Sequence, residues 1–243
     1  MEPQLIEQLV NVNLLSSYYM TKLVLPNMIK KKKGLILYTS SGVTSLKSCP
    51  LYTIYGSVKD AICSFANSLS VELKEYNIQV QCHVPLFIVT KLSKIKNPGI
   101  FVPTSDIYAK CAIQKMREVI FDIVTLEFLK IVKSKIVLKN LKSYGDTIII
   151  TGCTDGIGKS LTYSLINQNV NLLLISRNES ELKNMKRDLL EKNKNYKGTI
   201  EYITFDYNAN DFNTYKIIEA KIRSMDIGIL INNVGVSYPY PLV

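Results

Sequence analysis

Short apolar runs alternate along the chain with longer segments whose apolar residues recur every three to four positions. From Gln4 to Ile29, the positions Leu9, Val12, Leu15, Met20, Leu23 and Val24 share one face, which predicts a helix with Pro26 near its end. Gly34–Thr39 (GLILYT) predicts a buried strand, and Ser40–Pro50 a loop of small residues. Tyr52 to Tyr76 predicts a long helix striped by Ala61, Phe65, Leu69 and Leu73. Ile78–Val84 predicts a second strand and Pro85–Ile100 a loop. Ser105–Met116 predicts a helix with Ser105 as its cap.

The pattern breaks between residues 118 and 145, where lysines and apolar residues mix; a partly helical linker is expected there. It then resumes. Thr147–Thr151, Val170–Ile175, Ile200–Phe205 and Ile227–Asn232 predict strands. Ile157–Asn167, Glu179–Lys194 and Asp211–Arg223 predict the helices between them. Strands alternating with helices of about a dozen residues imply parallel βαβ units. The expected fold is α/β, a doubly wound parallel sheet of Rossmann type in three layers. Its two parts are residues 1–117 and 146–243, joined by a linker at 118–145 and forming one structural domain.

Composition adds little to this. With 243 residues, 47% of them hydrophobic, the chain can bury one substantial core. The net charge of +10 suits anionic ligands or surfaces, and most of the lysines are expected on a solvated face. Lys30 to Lys33, the densest run, is expected to be an exposed loop rather than a nucleic-acid patch. Five scattered cysteines without a CxxC pair point to a reducing compartment, with neither a disulfide framework nor a metal site. His83 sits in an apolar run and is expected to be structural. The first residues do not read as a signal peptide. The most apolar stretch, Val119 to Val132, is interrupted by Asp122, Glu127 and Lys130 and is expected to pack as a helix or to lie on a membrane surface.

Two motifs carry chemistry. TIIITGCTDGIGKS sets Gly152, Gly156 and Gly158 in the turn from a strand into a helix. Glycine lets a pyrophosphate approach the backbone, and the helix N-terminus offers free N–H groups and a positive dipole end. Gly152, Thr154, Asp155, Gly156, Ile157 and Gly158 are therefore the expected phosphate-binding turn of a dinucleotide site. After the second strand of this part comes Arg177, where an acidic residue would select NAD(H); this favours NADP(H). Asp206 is placed to meet the adenine, and Asn232 and Asn233 to line the cofactor. The second motif is Tyr55 with Lys59, one helical turn apart and so on one face. An ammonium beside a phenol stabilises the phenolate, and the tyrosine can then exchange a proton with a carbonyl or alcohol oxygen. Ser40 or Ser41 is placed to hydrogen-bond that oxygen.

TGCTDGIG, NNVG, the helix segment NVNLL, the loop TSSG and YGSVK together resemble the short-chain dehydrogenase/reductase family. LINNVGVSYPYP, MTKLVLPNM, LYTIYGSVK and VPLFIVTKLSKIKNP are similar to its 17β-hydroxysteroid dehydrogenase type 12 / very-long-chain 3-oxoacyl-CoA reductase group. The resemblance spans roughly residues 7–116 and 145–243. It implies a catalytic tetrad of Asn13, Ser41, Tyr55 and Lys59. In this tetrad Tyr55 is the acid/base, and Lys59 lowers its pKa and holds the nicotinamide ribose. Ser41 orients the carbonyl and Asn13 anchors a relay water. It further implies Thr90 as a contact to the carboxamide. Two departures stand out. The family's usual serine spacing falls on Gly42, so the loop after Ser41 carries one extra residue. The family's Pro-Gly pair reads Pro85-Leu86 here.

The motifs also run in swapped order: the family's catalytic half precedes its nucleotide half. Two origins are expected to compete, a circular permutant and a fusion of two partial copies. In the permutant the ends of the chain lie beside the cleft, where fraying would loosen Asn13. The family's last sheet strand is not recognisable after Met116, which favours the fusion. The expected activity is reduction of a keto group of a lipid, such as 3-oxoacyl-CoA or a 17-ketosteroid, or oxidation of the alcohol. The alternative is an inactive nucleotide-binding relic or dimerisation partner. The resemblance implies the endoplasmic reticulum, or else the cytoplasm. It is compatible with peripheral membrane contact and a homodimer; no nucleic-acid partner and no metal are expected.

Overall fold

A computed structural model describes residues 2–46, 48–99, 102–120, 136–208 and 211–238. Helix α1 (Pro3–Val10) runs through a π-turn at Asn11–Leu15 into α2 (Ser16–Lys31). The single α-helix expected from Gln4 to Ile29 is thus interrupted at Asn13, and Pro26 lies inside it. Strand β1 (Gly34–Thr39), helix α3 (Thr53–Glu72) and strand β2 (Ile78–His83) follow within a residue or a few of the predicted limits. Helix α4 spans Ser105–Arg117. Its cap is Thr104, whose Oγ1 accepts from the Ile107 N–H, and not Ser105. The Ser105 hydroxyl is engaged elsewhere, accepting from Ser160 at 2.8 Å.

The segment expected to be a partly helical linker opens in a strand and carries a second one before a 3-10 turn near its end. β3 (Glu118–Ile120) pairs antiparallel with β4 (Ile136–Leu138), followed by a short 3-10 turn at Leu141–Ser143. Residues 121–132 of the apolar run expected to be a helix lie outside the described residues, and its first two form β3. Then come β5 (Thr147–Thr151), α5 (Gly156–Leu165), β6 (Asn171–Ser176), α6 (Glu179–Lys192), β7 (Ile200–Thr204), α7 (Lys216–Ile222) and β8 (Ile227–Asn232). Asp211 caps a 3-10 turn at Phe212–Tyr215 that leads into α7. Lys30 and Lys31 end α2 rather than forming a loop, and Lys31 pairs with Asp226 at the start of β8.

The main sheet has six strands in the order β2-β1-β8-β5-β6-β7, all parallel. β1 lies between β2 and β8, so strands from the first and last parts of the chain share one ladder. A parallel sheet covered on both faces needs apolar residues at every position, not alternate ones. β5 and β8 carry that double cover: every residue of both is buried, the polar ones sitting at the strand ends. On one face Leu35, Leu37, Ile148, Ile150, Ile229 and Ile231 pack under α4, α5 and α6. On the other, Ile36, Tyr38, Ile149, Leu173 and Leu230 pack under α2, α3 and α7. Each fully buried aliphatic side chain contributes about 1.5–3 kcal/mol, so both layers depend on residues from both ends of the chain. Among the described residues no helix is long and apolar enough to cross a membrane.

His83 closes β2, half-buried, with Nε2 3.1 Å from Gln81 Oε1. Burial, with Lys115 nearby, pushes its pKa down to about 4, which fits a neutral structural ring.

Candidate active site

The strand order reverses between β5 and β8, and in doubly wound sheets ligands bind at such a point, beyond the carboxyl ends of the strands. The glycine turn lies there. Gly152 leaves β5 at φ 63°, and a Cβ on it would stand 2.8 Å from Val234 Cα. A Cβ on Gly158 would stand 2.1 Å from the Gly152 carbonyl oxygen and 2.4 Å from Asn233 Nδ2. Only glycine lets α5 and the strand end come this close.

Thr151 ties the two strand ends together. Its hydroxyl accepts from the Asn233 N–H at 3.0 Å and the Val234 N–H at 3.1 Å. Asn233 Nδ2 donates to Gly152 O at 3.2 Å. Asp155 caps α5 through the Gly156 N–H, and Lys91 stands 3.8 Å from its other oxygen. Thr154 and Ser176 hydroxyls meet at 3.0 Å, one residue before the exposed Arg177. Asp206 is exposed past the end of β7, with Oδ1 accepting from the Asn208 N–H. Thr90 faces the turn: its Cγ2 lies 3.4 Å from where a Gly156 Cβ would be. Ile157 is half-buried against the α5 side of the core.

Two features of this cleft fit a dinucleotide. The glycines leave backbone open where side chains would fill the space. Asn232 is buried, and its Nδ2 has no hydrogen-bond partner among the described residues, which suits a donor awaiting a ligand acceptor.

The Tyr55 and Lys59 side chains enter from α3. Tyr55 is buried, with the Ser41 side chain close enough to favour its ionised form. Ser41 thus takes the position beside the tyrosine despite the altered spacing. Lys59 is also buried, with Nζ donating to Thr39 O at 3.0 Å and lying 5.8 Å from the Tyr55 ring centroid. Burial raises the Tyr55 phenol, and the nearby Ser41 side chain offsets part of that rise. Lys59 is itself pushed down by burial to about 8. Lys59 thus holds its proton less tightly than an exposed lysine.

Asn13 reaches the same place from the π-turn. Its Nδ2 donates to Leu9 O and to Val236 O, both at 3.0 Å, and its Oδ1 accepts from the Val236 N–H at 3.2 Å. A Cβ on Gly235 would lie 2.8 Å from Asn13 Oδ1 and 3.4 Å from Lys59 Nζ, so three separate segments converge on Gly235. π-turns frequently mark functional positions, because the extra residue re-aims a side chain out of the helical register.

The short chain dehydrogenase profile matches residues 1–100 and 146–242. The chain belongs to the short chain dehydrogenase family. Among curated family members, a very-long-chain 3-oxoacyl-CoA reductase from Macaca fascicularis is 40% identical over 109 residues, covering 45% of this chain and 35% of that protein. Inactive hydroxysteroid dehydrogenase-like protein 1 from Homo sapiens is 39% identical over 101 residues, covering 42% of this chain and 29% of that protein. In these alignments the chain spans about a third of each relative's length. A solved 3-oxoacyl-acyl-carrier-protein reductase with bound NAD from Brucella melitensis is 30% identical, covering 37% of this chain and 34% of that one, with a TM-score of 0.34.

Three contributors to this short chain dehydrogenase site carry no sequence signal of their own. The Thr39 carbonyl holds Lys59, the Thr151 hydroxyl joins the ends of β5 and β8, and the Val236 backbone clasps Asn13. Thr39 and Thr151 read only as strand ends, and their partners are remote in sequence.

Proposed function

We propose that this chain is an NADP(H)-dependent oxidoreductase that reduces a keto group of a lipid, such as 3-oxoacyl-CoA or a 17-ketosteroid, or oxidises the corresponding alcohol. One observation carries the reading: Tyr55 and Lys59 are buried side by side, with Ser41 near the phenol, at the same end of the sheet as the Gly152–Gly158 turn. In the reductive direction Tyr55 donates its phenolic proton to the carbonyl oxygen, which Ser41 orients. Lys59, its pKa lowered by burial to about 8, favours the resulting phenolate and binds the ribose, and Asn13 keeps the relay end of the site in place. The cofactor, when bound, supplies the hydride.

On this reading Gly152, Thr154, Asp155, Gly156, Ile157 and Gly158 take the phosphates. Asn232 and Asn233 line the cleft, Asp206 meets the adenine and Thr90 the carboxamide. Arg177, exposed after β6 with no carboxylate at that position, supports NADP(H) over NAD(H). Leu46, Leu51, Leu86, Phe87 and Leu92 are exposed on the two loops near the cleft, which meet where Gly42 touches Leu86. With the exposed Lys91, Lys94 and Lys96 they suit an apolar chain bearing anionic groups, or an anionic membrane such as that of the endoplasmic reticulum.

The shared sheet supports reading residues 1–117 and 146–243 as the swapped halves of one domain, bridged by 118–145, the arrangement of a circular permutant. The test is titration of the purified chain with NADPH and NADH, read by cofactor fluorescence. Micromolar binding that prefers NADPH is expected. Failure to bind either dinucleotide would leave an inactive relic as the better reading.

A further inference from the structure

The mechanism uses the first two turns of α3 and leaves the third alone. There Cys63, one turn beyond Lys59, points at the sheet. Its Sγ donates to Ser40 Oγ at 3.1 Å, and the Ser40 hydroxyl donates in turn to the Lys59 carbonyl at 2.8 Å. Cys82 on β2 meets it: the two Sγ atoms lie 3.7 Å apart. Both thiols are half-buried, and neither takes part in the proton chemistry described above.

We propose that Cys63 and Cys82 are a redox modification site, a thiol pair that a hydroperoxide converts into a disulfide joining α3 to β2. A contact of 3.7 Å between sulfurs on two rigid elements needs only a small approach to reach bonding distance. Burial and the neighbouring Cys63 push the Cys82 thiol up to about 12, so Cys63 is the sulfur that meets the oxidant. The Cys63 thiolate attacks one peroxide oxygen and the O–O bond breaks. With one proton taken up, the one the thiol gave up on ionising, one oxygen stays on sulfur as a sulfenic acid and the other leaves as water. The Cys82 sulfur then displaces the sulfenic hydroxyl, and its own proton leaves with that oxygen as a second water. Two thiols and one hydrogen peroxide thus give one disulfide and two waters.

The bond consumes the Cys63 S–H that now reaches Ser40 but leaves the donation from Ser40 to the Lys59 carbonyl intact. Its consequence is mechanical: it closes the loop from Cys63 through β2 and holds the lysine-bearing helix against the edge strand.

The experiment treats the reduced full-length chain with one equivalent of hydrogen peroxide, blocks free thiols with N-ethylmaleimide and maps the peptides by mass spectrometry. The expected product has lost two hydrogens and carries a Cys63–Cys82 disulfide, with Cys49, Cys111 and Cys153 blocked. Thermal unfolding of that product should shift upward by about 5–10 °C, and dithiothreitol should reverse it. Cys63→Ser and Cys82→Ser should each abolish the shift, while Cys111→Ser should keep it. A disulfide mapped elsewhere, or a sulfinic acid on Cys63 beside an unmodified Cys82, overturns the proposal. None of these readouts depends on cofactor binding, so the result stands apart from the oxidoreductase reading.

Discussion

Tyr55→Phe removes one hydroxyl and leaves a ring of nearly the same volume in the same buried position. The variant is expected to lose about 100-fold or more of NADPH-linked turnover of a 3-oxoacyl-CoA, since a positioned acid is worth roughly that much, while keeping its NADPH affinity. Steady-state rates beside a fluorescence titration separate the two. Unchanged turnover would take the proton transfer away from Tyr55. His83 acts on stability instead. Its pKa falls from 6.5 to about 4 on folding, so the unfolded chain takes up the proton first as pH drops. Its contribution is fully present above pH 6.5, declines as pH falls from 6.5 towards 4, and amounts to at most ~3 kcal/mol. His83→Gln should flatten that part of the stability profile in urea melts from pH 7 to pH 4. An unchanged slope would mean that other groups carry it.

At the scale of elements, the turn into α5 tolerates no added atom at Gly158. Gly158→Ala pushes a methyl into the Gly152 carbonyl and the Asn233 amide. A stability loss of about 1–3 kcal/mol is expected, together with at least a tenfold weaker hold on NADPH. Gly56→Ala is the matching control: it lies inside α3 with open space around its Cβ position and should be neutral or stabilising by up to ~1 kcal/mol. Equal effects of the two substitutions would mean that the close approach of α5 to the strand end carries no weight. The π-turn at Asn11–Leu15 matters for a similar geometric reason, since it brings Asn13 to the Val236 backbone.

At the scale of the molecule, neither half can cover its own strands. β8 lies between β1 and β5, and each core layer draws on both parts of the chain. Removing residues 1–117 would expose one edge of β8 and the packing faces of α5 and α7. A single cooperative unfolding transition is therefore expected, superimposable by far-ultraviolet circular dichroism and tyrosine fluorescence. The isolated 1–117 segment is expected to stay unfolded. Two separated transitions would show the halves to be independent.

The sequence alone determined the elements of the main sheet, because a doubly covered strand is apolar throughout and a helix apolar on one stripe. Gly34–Thr39, Thr147–Thr151 and Ile227–Asn232 were legible to the residue for that reason. It also offered the pieces of a candidate site, because glycine turns and a tyrosine–lysine pair are local patterns. Three local readings went to tertiary contacts instead. Ser105 yielded its capping role to Thr104 because its hydroxyl meets Ser160. Lys31 stayed helical against Asp226, and residues 118–120 and 136–138 paired as strands. Only the tertiary structure decided that strands from both parts of the chain share one sheet, that Ser41 comes beside Tyr55 despite an altered spacing, and that Val236 clasps Asn13. The physical reason is range. Propensity and periodicity act over a few residues, whereas these contacts join segments up to 223 positions apart and form only once both cores close around the strands.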